Sequence, residues 1–171
     1  MVLYFLLSIC QVAFAEEAYQ VTAKVWGALG RKDWNAAIAH ADQALRTWGA
    51  EAKRTNAKLK GYAPAKDARK YGNLNEVGTC LILKGDALRQ KGDVKGAIAT
   101  YELLLRDYQY SQVWDPNGWF WKPAESARKT LAKLKTAAAP YQLKVARKHF
   151  TDEQLKFPGK KGICLTMRKA G

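Results

Sequence analysis

Apolar residues recur at three- and four-residue spacing in two stretches of the chain, each preceded by an aspartate. Trp34, Ala37, Ile38, Ala41, Ala44 and Leu45 follow Asp33, while Ala97, Ile98, Tyr101, Leu104 and Leu105 follow Asp93. This spacing puts each apolar set on one face of an α-helix. Each aspartate stands where its carboxylate can accept from the free N–H groups of a first helical turn. Another apolar helical stretch, Leu81-Ile82 to Leu88, runs up to Lys91-Gly92-Asp93. Gly92 suits the left-handed residue that ends a helix, so helix, tight turn and helix are predicted in succession.

The two stretches are copies of one another. Lys24–Trp48 aligns without a gap on Lys84–Tyr108, with seven identities in 25 columns. The identities are Lys24/Lys84, Asp33/Asp93, Ala37/Ala97, Ile38/Ile98, Ala39/Ala99, Leu45/Leu105 and Arg46/Arg106. Internal repetition of a helix hairpin is the signature of a stacked repeat architecture. The pattern resembles the tetratricopeptide repeat. Gly85 takes the place of that family's small residue in the first helix, Ala37 and Ala97 that of the alanine early in the second. Tyr101 matches its aromatic and Ala44 its later small residue. Val25, Ala41 and Leu104 depart from the pattern, and neither copy ends in proline. The resemblance implies an all-α fold of two TPR-like hairpins, with an insertion between them and a closing helix after them.

A second resemblance spans Tyr71 to Leu134. Leu74-Asn75-Glu76-Val77, Lys84-Gly85-Asp86-Ala87-Leu88 and the run from Trp114-Asp115-Pro116 to Pro123-Ala124-Glu125 are similar to a group of exported bacterial repeat proteins. Members of that group often carry the label "beta-glucanase precursor". The resemblance implies a Gram-negative source and a link to polysaccharide, and establishes no activity.

Residues 49–76 between the copies are rich in Lys, Ala and Gly. Glu51 to Leu59 can continue as helix, Gly61-Tyr62-Ala63-Pro64 breaks it, and Tyr71-Gly72-Asn73 reads as a turn. After the second copy, Trp114 to Trp121 holds three of the six tryptophans and one phenylalanine. Prolines at 116 and 123 favour an extended path there, which would send Trp119 and Trp121 to one side and Phe120 to the other. Pro123 suits the first turn of a helix from Ala124 to Lys135. Ala137-Ala138-Ala139-Pro140 then reads as a linker, and Tyr141–Val145 and Ile163–Met167 as short strands or extended tails.

Charge and the amino terminus bear on where such a chain works. Val2 to Ala15 is almost wholly apolar and ends in Ala13-Phe14-Ala15, the small-x-small form of a secretory cleavage site, although no Lys or Arg precedes it. Residues 1–15 are therefore expected to be a signal peptide, 16–136 the repeat domain and 137–171 a basic tail, in a periplasmic or secreted protein with no membrane span once cleaved. The net charge of +14 is uneven: residues 122–171 carry 13 basic and 3 acidic residues. Outside the cytoplasm such a tail either serves anionic glycans, lipid headgroups or acidic proteins or only keeps the chain soluble, and nucleic acid is not expected. Only Cys80 and Cys164 would follow cleavage, too few for a disulfide framework.

Candidate sites fall into two groups. Family groove positions map onto Tyr19, Thr22, Trp26 and Leu29 and onto Thr79, Ile82, Asp86 and Arg89. Tyr19, Trp26, Ile82, Asp86 and Arg89 form the groove set, a mixture suited to a peptide or a glycan. The aromatic segment supplies Trp114, Trp119 and Trp121, whose indole faces can stack on sugar rings or be buried as structural anchors. Asp115, Asn117 and Lys122 are placed to reach sugar hydroxyls. No nucleophile elbow, metal-ligand spacing or phosphate loop appears, and no cofactor is expected. Hydrolysis of a glycan would need two carboxylates about 5–10 Å apart. Asp93 reads as a cap, Asp86, Glu102 and Asp107 as helix surface, and His40 as packed or exposed. The expected role is a non-enzymatic scaffold that binds a protein partner or itself. The alternative is a module that holds extracellular polysaccharide, neutral or anionic, on the tryptophan segment.

Overall fold

The computed structural model describes residues 16–115 and 117–149, with side chains described as far as residue 136. Residues 1–15, where a signal peptide is expected, and Pro116, Ile163–Met167 and Cys164 lie outside the described residues. The architecture is all-α apart from one short hairpin: α1 (Ala18–Gly30), α2 (Trp34–Lys58), α3 (Gly72–Gln90), α4 (Val94–Asp107), strands β1 (Val113–Asp115) and β2 (Trp119–Trp121), and α5 (Pro123–His149). A 3₁₀ turn, Ala68–Tyr71, leads directly into α3, where a non-helical turn was expected. No described helix is long and apolar enough to cross a membrane.

Both inter-helix turns are built alike. Arg31 N donates to Gly27 O, Lys32 N to Leu29 O and Asp33 N to Ala28 O; sixty residues on, Lys91 N donates to Ala87 O, Gly92 N to Arg89 O and Asp93 N to Leu88 O. Asp33 Oδ1 accepts from Ala36 N at 3.0 Å, and Asp93 Oδ1 accepts from Gly96 N at 2.8 Å. The middle residue is left-handed in both, Lys32 at φ 60° and Gly92 at φ 86°. The three-residue turn folds α2 back on α1 and α4 back on α3, and α3 also packs on α1 and most extensively on α2.

Of the apolar faces read from the sequence, Ala37, Ala41, Ala44, Ala97, Tyr101 and Leu104 are buried, while Trp34, Ile38, Leu45, Ile98 and Leu105 are half-buried. Val21, Val25, Ala28, Leu74, Val77 and Leu81 complete the core. Two of the departures from the repeat pattern, Val25 and Ala41, are one coupled change. A Cβ on Gly85 would fall inside the Tyr101 ring, so glycine is what admits the aromatic. Sixty residues earlier the same two places hold Val25 and Ala41, both buried, so the bulk has moved from the second helix to the first.

The chain divides into two compact units at Arg128. Pro123, Ala124 and Ala127 of the first unit are buried. In the second, α5 continues to His149, and Thr136 Oγ1 donates to Ala132 O at 2.9 Å. Three expectations are corrected here. The closing helix does not stop at Lys135, Ala137-Ala138-Ala139-Pro140 is helical rather than a linker, and Tyr141–Val145 is helical rather than extended. Three consecutive alanines have the highest helix propensity of any residues, which offsets the one hydrogen bond a proline removes.

Candidate functional site

The aromatic segment is a two-stranded antiparallel hairpin with Val113 opposite Trp121, Trp114 opposite Phe120 and Asp115 opposite Trp119. Gly118, at φ 98°, makes the return, and Gly118 N donates to Asp115 O at 2.9 Å. Asp115 Oδ1 accepts from both Asn117 N (2.8 Å) and Asn117 Nδ2 (2.7 Å), so the carboxylate fixes the turn through one oxygen. Alternation along the strands places Val113, Asp115, Trp119 and Trp121 on one side and Trp114 and Phe120 on the other.

Each side has its own company. Trp114 and Phe120 meet edge to face at 5.1 Å, and the Arg69 guanidinium lies 5.2 Å from the Trp114 ring centre. Lys122 Nζ sits 4.4 Å above the Tyr62 ring, which in turn meets Tyr110 edge-on at 5.7 Å. These contacts brace the hairpin against the inter-repeat segment. Val113, Asp115, Trp119 and Trp121 line an open depression of about 570 Å³ together with Trp26, Ser126 and Trp114, so Trp114 reaches it as well as Arg69. Trp26 is 50% exposed and Trp119 53%. The depression is open to solvent and presents indole faces with one carboxylate and one hydroxyl.

The hairpin's position is set from beneath by buried polar groups. Asn75 Oδ1 accepts from Gln112 N at 2.8 Å while its Nδ2 donates to Ala68 O at 2.8 Å. Gln112 Nε2 donates to Ala63 O, and Asn56 Oδ1 accepts from Tyr110 N. Ser111 is fully buried against Gly78, where any Cβ would strike its hydroxyl. Residues 110–112 are thus fastened immediately before β1 begins.

The residues singled out from the sequence fare differently. Trp26 leaves the groove set and joins Trp119, Trp121 and Trp114, which merges the two candidate groups at one place. Tyr19, 60% exposed, lies two turns before Trp26 on the same face of α1. Ile82 is buried, as are Thr22 and Thr79, so these three pack instead of presenting a surface. Asp86 Oδ1 accepts from the Tyr101 hydroxyl at 2.8 Å and lies 3.5 Å from Arg89 Nη2. Burial and the Asp86 carboxylate push the Tyr101 hydroxyl far above its usual range. Asn117 and Lys122 are occupied by Asp115 and by Tyr62 and Glu125. Cys80, its Sγ 3.4 Å from Thr22 Oγ1, is pushed up to about 11 by burial and is an inert thiol.

Comparison of the chain with family models, with curated proteins and with solved structures returns no match.

Chemistry at the depression therefore rests on its own residues. Its lining offers indole faces, one carboxylate and one hydroxyl. Elsewhere Asp93 caps α4, and Asp107 Oδ2 lies 3.0 Å from Arg106 Nη2 and 3.1 Å from Lys53 Nζ. Among the described residues no three His, Cys, Asp or Glu side chains gather as a metal site. Sequence reasoning missed Arg69, Asn75 and Gln112. Their types carry no motif, and their roles depend on contacts 37 or more residues away for the Asn75–Gln112 pair.

Proposed function

We propose that this chain is an exported binding module of tetratricopeptide-like build, and that it holds a glycan in the depression formed by Trp26, Trp119 and Trp121. The observation that carries this is the meeting of Trp26, from the first helix, with the hairpin indoles at one open, concave place. Sugar rings present axial C–H surfaces that stack on indole faces, and tryptophans left half exposed lose the benefit of burial unless something covers them. The repeat reading is supported by the duplicated turn and by the exchange of bulk between Val25/Ala41 and Gly85/Tyr101. The reaction class is binding, because the depression is lined by a single carboxylate where glycan hydrolysis uses two.

A second reading, a protein partner or a second copy, is favoured by Tyr19 beside Trp26 on the exposed face of α1. Affinity electrophoresis through gels containing soluble polysaccharides separates the two. On the glycan reading, Trp119→Ala and Trp26→Ala lose retardation and melt within a few degrees of the wild type. Tyr19→Ala leaves retardation intact. On the partner reading, Tyr19→Ala and Trp26→Ala lower the sedimenting mass, and no variant alters retardation.

A further inference from the structure

The chain's charge of +14 points toward acidic polymers, but the depression itself carries the opposite sign. Its one ionisable lining residue is Asp115. The hairpin's nearby cations are engaged with other groups: Arg69 lies over the Trp114 ring, and Lys122 lies over Tyr62 with Glu125 at 3.4 Å. One Asp115 oxygen is committed to Asn117, which leaves the other oxygen as an acceptor for a ligand. We propose that Asp115 is the specificity-determining residue of the site, accepting hydroxyls of a neutral sugar chain and repelling uronate or sulfate groups. This rests on the glycan reading given above. Ser126 offers a rotatable hydroxyl on the α5 side of the same depression, and the indoles supply sequence-tolerant stacking.

Two kinds of attraction are then predicted to coexist and to be separable by salt. Association driven by net charge weakens steeply as ionic strength rises, because exposed charges are screened beyond about 8 Å at physiological salt. Stacking and neutral hydrogen bonding at the depression are nearly indifferent to salt. A carboxylate facing a uronate at about 5 Å in water opposes binding by a factor of roughly three to tenfold, more where solvent is excluded.

The test is calorimetric titration of the full chain with cello-, manno- and xylohexaose and with hexagalacturonate, at 20 mM and 500 mM sodium chloride. The wild type, Trp119→Ala and Asp115→Asn are compared; asparagine keeps the carbonyl oxygen that accepts from Asn117, so the turn survives. The expected result is that at least one neutral hexamer binds equally at both salts and is lost in Trp119→Ala. Hexagalacturonate binds the wild type only at low salt, and there Asp115→Asn gains roughly three- to tenfold for it, a gain that shrinks at 500 mM as the carboxylate is screened. Equal low-salt binding of hexagalacturonate to wild type and Asp115→Asn, abolished by Trp119→Ala, overturns the Asp115 assignment and leaves the glycan reading standing. Failure of every hexamer to show Trp119-dependent binding overturns both.

Discussion

Exchanging the packing pair of one hairpin for that of the other should be tolerated only when both residues change together. Gly85→Val puts a side chain where the Tyr101 ring now sits, and that ring, with no exposed surface, has nowhere to go. Overpacking of this kind costs about 3 kcal/mol or more. Tyr101→Ala removes a fully buried aromatic and leaves a cavity, a loss of about 3–5 kcal/mol, to which the hydroxyl's bond to Asp86 adds about 1 kcal/mol. Added independently, the two changes would remove about 7–9 kcal/mol, enough to unfold many domains of this size. Combined in one chain they recreate the Val25/Ala41 pair, with the valine occupying part of the vacated ring space. The double variant should lose only about 2–4 kcal/mol, a coupling of several kcal/mol between neighbours. Urea denaturation followed by far-ultraviolet circular dichroism gives all four corners of the cycle, and Tyr101→Phe isolates the hydroxyl. A double variant whose loss equals the sum of the singles within about 0.5 kcal/mol would refute the idea that the two hairpins are alternative solutions to one packing problem.

Two further outcomes follow from local chemistry. Lys32 occupies the left-handed position that Gly92 fills in the second turn, a conformation that costs an L-residue about 1–2 kcal/mol. Lys32→Gly should therefore raise stability by about 0.5–1 kcal/mol after glycine's extra unfolded-state entropy is subtracted, read as a higher melting temperature. Arg106, then Lys53, holds the Asp107 carboxyl below its ordinary value of 3.8. A carboxyl whose folded pKa is depressed contributes stability above its unfolded pKa and loses it as pH falls through the folded one. Asp107→Asn should thus flatten the decline in melting temperature below about pH 4 relative to wild type, and an unchanged acid limb would show that the ion pairs contribute nothing measurable.

Much of the helical framework was legible because the signals are local. Asp33 and Asp93 cap where the spacing placed them, Gly92 takes the positive φ expected of it, and Trp119 and Trp121 share a side of an extended segment. The legibility ended where residues distant in sequence decide. Lys32 sits in a glycine's conformation because the turn's hydrogen bonds require it, whatever side chain is present. The end of α5 is not legible, because Pro140 signals a break while the three alanines before it favour helix. The site is legible only in halves. Trp26 reads as one group and Trp119 and Trp121 as another. What unites them is the stacking of α3 on α1 and the fastening of Gln112 by Asn75, neither of which leaves a pattern in the chain.

A glycan held in the depression between α1 and the hairpin would be reported by the indole resonances. The six tryptophans give six side-chain N–H signals in a ¹H–¹⁵N correlation spectrum, assignable by single Trp→Phe substitutions. Titration with the hexamer that binds best should move the signals of Trp26, Trp119 and Trp121 together, along one saturating curve, and leave Trp34 and Trp48 in place. Movement confined to Trp34 and Trp48, or no movement of any indole up to millimolar ligand, would contradict the glycan reading.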